Sequence, residues 1–152
     1  MEGFAFCYRF RVRWSEVDPQ NVVFNARYLD YGDLGITEYW RAVDFRGEGG
    51  AGPMDFHVAH ADVTYRKPIK ADELIDIWCR IDRFGTTSMT VHMELHGADS
   101  LGDDLRAIIR EVQVNVDLAT HTPKPIPQGV RDRFTAFDAR PTPVRRGENI
   151  HA

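Results

Sequence analysis

The sequence has only two cysteines among its 152 residues and no apolar run long enough to cross a bilayer. Cys7 and Cys79 form no CxxC or CxxH arrangement, so neither a structural metal site nor a disulfide framework is predicted. We interpret both as reduced thiols. The amino-terminal residues are interrupted by arginines and lack the apolar core of a signal peptide. These features predict a cytoplasmic protein without a membrane span.

The sequence also lacks an excess of positive charge, since 19 Lys and Arg residues stand against 23 Asp and Glu residues. Nucleic-acid binders usually present a basic face, so no nucleic-acid partner is expected. The length predicts a single domain that is large enough to bury its own core. Composition changes near the end, where Pro and Arg replace large apolar residues. We therefore predict one domain over residues 1–137 and a loose tail over 138–152.

The first structured segments are predicted to be a strand, a turn and a long helix. Alternating apolar residues from Ala5 to Trp14 indicate a half-buried strand. The turn SEVDPQN follows, in which Asn21 tolerates a left-handed backbone. Apolar residues then recur every three or four positions from Tyr28 to Val43, which predicts a helix with Asn25 as its N-cap.

The predicted helix contains two glycines, Gly32 and Gly35, although glycine is unfavourable inside a helix. Such glycines suggest that another backbone approaches the helix closely.

Four later segments alternate apolar and polar residues, which predicts long antiparallel strands with one wet face. In the last of them Val112, Val114 and Val116 are expected to point inward. The polar faces, with Trp78 and His92, are expected to meet solvent or a second interface. A short helix is predicted over 128–137. The simplest arrangement is an α+β hot-dog fold, in which a five-stranded antiparallel sheet wraps around one long central helix.

Three stretches carry a family resemblance. The segment RVRWSEVDPQNVVFNARYLDYGDLGITEYWR resembles the opening of the 4-hydroxybenzoyl-CoA thioesterase family, whose acyl-CoA thioesterases include the Tol–Pal-associated type. The shorter stretches YRKPIKADEL and DLATHTPKPIP follow in the family's order, so the resemblance covers roughly Phe6 to Phe137. It implies an acyl-CoA thioesterase that works as a homodimer or homotetramer, with each active site built across a subunit interface. It implies no metal and no cofactor, because coenzyme A enters as part of the substrate.

The resemblance also implies roles for single residues. Asp18 matches the family's catalytic carboxylate, which either attacks the thioester as a nucleophile or activates water as a general base. Asn25 matches the helix-start position whose backbone N–H holds the thioester carbonyl. Taken alone, Asp18 is better explained as a turn former and Asn25 as a helix cap. Their spacing, the helix start at Tyr28 and the layout of the whole chain shift the balance to a catalytic Asp18.

Five further residues are candidates for substrate binding, three by the same resemblance and two, Arg66 and Lys67, because they form with Lys70 the densest basic group in the domain. Phe56 and His57 are expected to line the acyl pocket, and Ser88 matches a strand-start position near the substrate. Arg66 and Lys67 either contact the phosphate or pantetheine of coenzyme A or form a solvated turn.

Three departures from the family pattern keep other functions open. Some relatives carry a basic cluster where this chain has Gly85, Thr86 and Thr87, so an acyl group on acyl carrier protein is an alternative substrate. Asn21 replaces the family's glycine, and Asn25 replaces the His or Tyr of some relatives. These replacements leave room for a hot-dog protein that binds acyl-CoA without turnover.

Overall fold

A computed structural model describes residues 1–45, 54–98 and 103–143 of the chain. The elements in chain order are β1 (Phe6–Arg11), a 3₁₀ turn (Trp14–Glu16), α1 (Arg27–Val43), β2 (Asp55–Tyr65), β3 (Leu74–Phe84), β4 (Ser88–Gly97), β5 (Leu105–Asp117), β6 (Thr122–Pro123) and α2 (Gln128–Asp138). The strands form one antiparallel sheet in the order β1-β3-β4-β5-β2, and the two-residue β6 pairs with β5. The predicted α+β hot-dog architecture is confirmed. Within the described ranges, no helix is both long and apolar enough to span a membrane.

The central helix α1 lies directly on the concave face of the sheet because two glycines face that surface. A Cβ atom at Gly35 would lie only 2.7 Å from Cγ2 of Ile77 on β3. A Cβ atom at Gly32 would lie 3.4 Å from Cε of Met93 on β4. The helix is closely approached at both glycines, as predicted. The approaching groups are side chains of the sheet, however, and not another backbone. The two glycines therefore set how deeply the helix sits.

The prediction for the last long strand is wrong about which face is buried. Ala107 and Ile109 are fully buried against the helix, and the alternation of β5 then turns Glu111, Gln113 and Asn115 inward. Val112 and Val114 lie on the opposite face. Ile108 and Ile109 are adjacent, so the sequence supports either alternation and only packing decides between them. The concave face consequently carries three buried polar side chains.

The convex face of the sheet is also less exposed than the sequence predicted. Trp78 and His92 are buried, because Phe4 from the amino-terminal segment packs on both rings at 6.2 and 6.0 Å between centroids. Arg9 and Asp76 form a buried ion pair on this face, with 3.0 Å between Nε and Oδ1. The expectation that this face meets solvent or a second interface is therefore wrong at Trp78 and His92. A contact between residues so far apart in sequence leaves no periodic signal.

His92 and His96 are held on the same face by one carboxylate. Glu94 accepts a hydrogen bond from Nε2 of each ring, at 2.8 and 3.0 Å. The Nδ1 atom of His92 accepts from Nε of Arg110, and the Nδ1 atom of His96 accepts from the Asp104 backbone N–H. These donors fix the tautomer of both rings, and the two ring N–H groups lower the pKa of Glu94 to about 2.

The end of the domain is anchored beneath the carboxyl end of α1. Tyr39 donates a hydrogen bond to the carboxylate of Asp138, whose Oδ2 also accepts from the Ile81 N–H. Asp138 is the last residue of α2, one position beyond the predicted boundary. The division into a domain over 1–137 and a loose tail over 138–152 stays a prediction, and residues 144–152 lie outside the described part.

Candidate active site

The amino-terminal end of α1 presents backbone N–H groups that donate to no atom of the described residues. The N-cap is Ala26 and not Asn25, so the predicted N-cap is wrong by one residue. The amides of Arg27 and Tyr28 bond to the carbonyls of Phe24 and Asn25 in a tight turn, which removes the need for a side-chain cap. Among the described residues, the N–H groups of Asn25 and Ala26 have no acceptor. They lie at the positive end of the helix dipole.

Asp18 lies in a small hairpin that leads into this helix. Its N–H donates to the carbonyl of Val22 at 2.8 Å, and the Phe24 N–H donates to the carbonyl of Glu16 at 3.0 Å. Asn21 has φ of 61°, so the predicted left-handed turn residue is confirmed. The Oδ1 atom of Asp18 accepts the Gln20 N–H at 2.8 Å. Asp18 therefore shapes the turn with one oxygen, and Oδ2 bonds no atom of the described chain.

Tyr65 joins the helix start to the edge of the sheet, and sequence reasoning did not single it out. Its hydroxyl donates to the Asn25 carbonyl at 2.9 Å, and its ring meets Tyr28 edge to face at 4.8 Å. The bonded carbonyl belongs to the same peptide group as the Ala26 N–H. Tyr65 is therefore placed to orient that donor. Only the fold, which brings residues 25 and 65 together, reveals this contact.

Two predicted binding residues follow Tyr65 directly. The backbone N–H groups of Arg66 and Lys67 bond to the Arg106 carbonyl at 2.9 and 3.1 Å. The Lys67 ammonium is paired with Asp104 at 2.7 Å, and the Arg66 side chain is exposed. Both cations are thus on the same side of the molecule as the helix start.

The other predicted binding residues lie at the opposite end of the sheet. Phe56 packs on Trp40 near the carboxyl end of α1, at 5.4 Å between ring centroids. His57 and Ser88 both pair with Val114, so they share one row of the sheet with Phe56 next to it. Phe56 and Tyr65 are nine positions apart on β2, which is about 30 Å at the strand rise. A single chain therefore does not bring Phe56, His57 and Ser88 to the helix start.

A buried polar pair on the concave face was missed because β5 was predicted in the wrong alternation. Nε2 of Gln113 donates to Oε2 of Glu111 at 3.0 Å, and both side chains are at least 95% buried. Burial raises the pKa of the Glu111 carboxyl, the Gln113 hydrogen bond opposes the rise, and the Asp33 carboxylate on α1 adds to it. The first half of α1 therefore faces one buried carboxyl group, that of Glu111, and contributes the nearby carboxylate of Asp33 itself.

No group of three or more His, Cys, Asp or Glu side chains in the described ranges is arranged to hold a metal ion.

Residues 12–134 match the family model of the thioesterase-like superfamily, so the chain belongs to that superfamily. The resemblance to hot-dog thioesterases is thereby confirmed, and the protein is a thioester hydrolase. None of the curated proteins matches the sequence.

Three solved structures show the extent of the likeness. A thioesterase from Thermus thermophilus, complexed with coenzyme A and Zn, is 28% identical, with a TM-score of 0.77 over 93% of this chain and 99% of that one. A 1,4-dihydroxy-2-naphthoyl-CoA thioesterase from Synechocystis is 17% identical, with a TM-score of 0.75 over 89% and 98%. A probable thioesterase from Bartonella henselae is 21% identical, with a TM-score of 0.67 over 80% and 97%. The last two support the fold alone.

We expect Glu111→Gln to stabilise the protein at neutral pH. The folded state binds the Glu111 proton more tightly than the unfolded state, because folding raises this pKa from 4.5. Stability is therefore lost as pH rises above the unfolded value, and the substitution removes that loss. Urea unfolding at about pH 4.5, 6 and 7.5 should show a gain in unfolding free energy that grows with pH. The exposed Glu2→Gln serves as control, and an equal gain at every pH would contradict the titration of Glu111.

Proposed function

We propose that the protein is an acyl-CoA thioesterase that hydrolyses its substrate to a free acid and coenzyme A. One observation carries the proposal: the α1 start offers unoccupied N–H donors beside the turn that holds Asp18. Hydrolysis moves negative charge onto the thioester oxygen, and backbone donors at a helix start stabilise such charge. The thiolate of coenzyme A then leaves as the C–S bond breaks.

Asp18 supplies the carboxylate that the reaction needs. In one route an Asp18 oxygen attacks the carbonyl carbon, forms a mixed anhydride and is released by water. In the other route Asp18 removes a proton from the water that attacks. The Oδ2 atom serves either route while Oδ1 keeps its turn bond to Gln20. Both routes need the carbonyl to be held at the helix start, which is the role proposed for the Asn25 N–H.

We propose that the active site is completed by a second copy of the chain. β2 is an edge strand, and its residues 57–62 are exposed on both faces, including Val58 at 55%. An unpaired edge of this kind favours pairing with another strand. Antiparallel pairing of two β2 strands would bring the partner's Phe56 and His57 toward Tyr65 and Asn25. This arrangement accounts for the separation of the predicted binding residues within one chain.

Coenzyme A is the proposed carrier because Arg66 and Lys67 lie beside the helix start, where the phosphates or pantetheine of the substrate would pass. The coenzyme A complex of the Thermus thermophilus thioesterase supports the same carrier.

Acyl carrier protein is the second candidate carrier. The turn formed by Gly85, Thr86 and Thr87 has no cation of its own. Arg131 reaches this turn from α2, but its Nη2 atom is bonded to the Gly85 and Thr86 carbonyls at 2.6 and 2.8 Å. Comparing rates for one acyl group on both carriers decides between the two.

We expect Asp18→Asn to lower kcat by at least about a hundredfold, the usual effect of losing a general base. Thiol release from short, medium, long and aromatic acyl-CoAs measures the rate. The matched control is Asp132→Asn on the exposed side of α2, which should leave the rate unchanged. Circular dichroism checks that the Asp18 variant is folded. Equal turnover by wild type and folded Asp18→Asn would contradict the catalytic role and leave Asp18 as a turn residue.

We expect Asn25→Pro to lower kcat by about 10²–10³, because proline removes the proposed N–H donor. Asn25→Ala keeps the amide and should retain nearly the full rate. Steady-state kinetics on the best acyl-CoA measure both variants. If alanine lowers kcat as much as proline does, the side chain and not the backbone is the working group.

We expect the protein to sediment as a multiple of its 17.4 kDa subunit mass, as a homodimer or homotetramer. Val58→Asp places a charge on the exposed edge of β2 and should dissociate the assembly and abolish turnover together. Thr135→Asp on α2 is the control for an added surface charge. An active monomer at assay concentration would overturn the shared site.

A further inference from the structure

One buried arginine clamps the loop between β2 and β3, residues 66–73. Arg106 is the second residue of β5 and is only 8% exposed. Its Nη1 atom donates to the Pro68 carbonyl at 2.9 Å, and its two terminal nitrogens donate to the two carboxylate oxygens of Glu73 at 2.8 and 3.0 Å. Its own carbonyl accepts the first two N–H groups of the loop. Arg106 therefore holds the loop at both ends.

Asp104 holds the arginine from its other side. The Oδ2 atom of Asp104 accepts from Nη2 of Arg106 at 2.8 Å. A Cβ atom at Gly97 on β4 would overlap this carboxylate and lie 3.0 Å from the same Nη2 atom, so only glycine leaves room for the pair. The Arg106 hydrogen bonds lower the pKa of Asp104 to about 2 and also lower the pKa of Glu73, so both carboxylates are charged at neutral pH. We call Arg106, Glu73 and Asp104 the Arg106 clamp.

The clamped loop supports the hairpin that carries Asp18. The Ile69 carbonyl accepts the Val23 N–H at 2.7 Å, and the next residue of the loop forms a β-bridge with Val22. The Ile69 side chain is fully buried. The Val22 carbonyl in turn accepts the Asp18 N–H. Hydrogen bonds and short chain segments thus connect Arg106, through the loop, to the backbone of Asp18.

The same loop also starts beside the amino-terminal end of α1. Tyr65 precedes the loop directly, and its hydroxyl donates to the Asn25 carbonyl. One end of the loop is therefore tied to the helix start, and its middle is tied to the Asp18 hairpin. The conformation of the loop sets how far the Asp18 carboxylate lies from the N–H donors of the helix. A displacement of about 1 Å at a reacting group can lower a rate about a hundredfold.

We propose that Arg106 is a positioning residue for thioester hydrolysis, which holds the Asp18 carboxylate in place against the start of α1. The inference rests on the proposed function. Arg106 acts through the loop and the hairpin, and it does not touch the substrate. Its planar guanidinium suits this role because it bonds two carboxylates and a carbonyl at once in a fixed geometry. A lysine keeps the charge but cannot form the paired bonds to Glu73.

The first test compares Arg106→Lys with a matched control, Arg9→Lys. Arg9 is equally buried, and its guanidinium bonds both oxygens of Asp76 and the Ala98 carbonyl. Both variants should lose unfolding free energy, but only Arg106→Lys should lower kcat, by at least about tenfold. The KM for the best acyl-CoA should change little, because the carboxylate acts mainly in the transition state. Equal kcat values in the two variants would overturn the positioning role.

The second test asks whether the clamp acts through Asp18. In an Asp18→Asn background the group that the clamp positions is already lost, so adding Arg106→Lys should lower kcat by less than about twofold. A further loss of about tenfold would overturn the route through Asp18. If Arg106→Lys does not fold, Glu73→Gln weakens the clamp from the loop side with little change in shape, and the same results are expected.

Hydrogen exchange separates this inference from the proposed function, because it needs no turnover. The Val23 N–H should exchange faster in Arg106→Lys than in wild type or Arg9→Lys, since its acceptor lies on the clamped loop. If exchange changes in this way but wild type hydrolyses no thioester, the clamp is supported and the proposed function is overturned. If wild type hydrolyses thioesters but exchange and kcat are the same in both variants, the clamp alone is overturned.

Discussion

The close contact between α1 and β3 is the constraint on which the rest of the structure depends. At Gly35 any side chain would occupy the space of Ile77, and the Cys79 sulfur would also be only 3.3 Å away. The helix therefore lies as near to the sheet as its backbone permits. Because α1 is a rigid rod of 17 residues, this contact also determines where its amino-terminal end emerges. That end emerges beside β2, where Tyr65 holds the Asn25 carbonyl.

The depth of the helix also explains why polar side chains are tolerated on the concave face. Ile77 and Ile109 meet the helix at its glycines and are fully buried. Further along β5 the side chains on the concave face are polar, at Glu111 and Gln113. The β2 residues next to them are exposed. A buried carboxyl is costly unless it keeps its proton or gains a partner. The raised pKa of Glu111 favours its protonated form, and Gln113 supplies a hydrogen-bond partner.

Local signals in the sequence predicted the parts of the fold that local chemistry controls. The left-handed position of Asn21 and the long helix with its two glycines belong to this group. Predictions failed where contacts between residues distant in the sequence determine which side chains are buried. The adjacent Ile108 and Ile109 leave the alternation of β5 ambiguous, and only packing against α1 resolves it. The burial of Trp78 depends on Phe4, which lies 74 positions away and shares no periodic pattern with it. The candidate site divides in the same way. The turn around Asp18 could be predicted from the local sequence, but the contact of Tyr65 with the helix start could not.

The arrangement of the predicted site residues supports the proposal that the functional unit is larger than one chain. The helix start and Tyr65 lie at one end of β2, whereas Phe56 and His57 lie at the other. Within one chain these groups are too far apart to contact the carbonyl and the acyl group of one small substrate. A two-fold axis between antiparallel β2 edges exchanges the ends of the strand, so each helix start meets the opposite end of its partner. The exposure of β2 on both faces is costly for a monomer but is accounted for in such a pair. In the proposed pair, residues that are too far apart to form a pocket within one chain would therefore lie at one site.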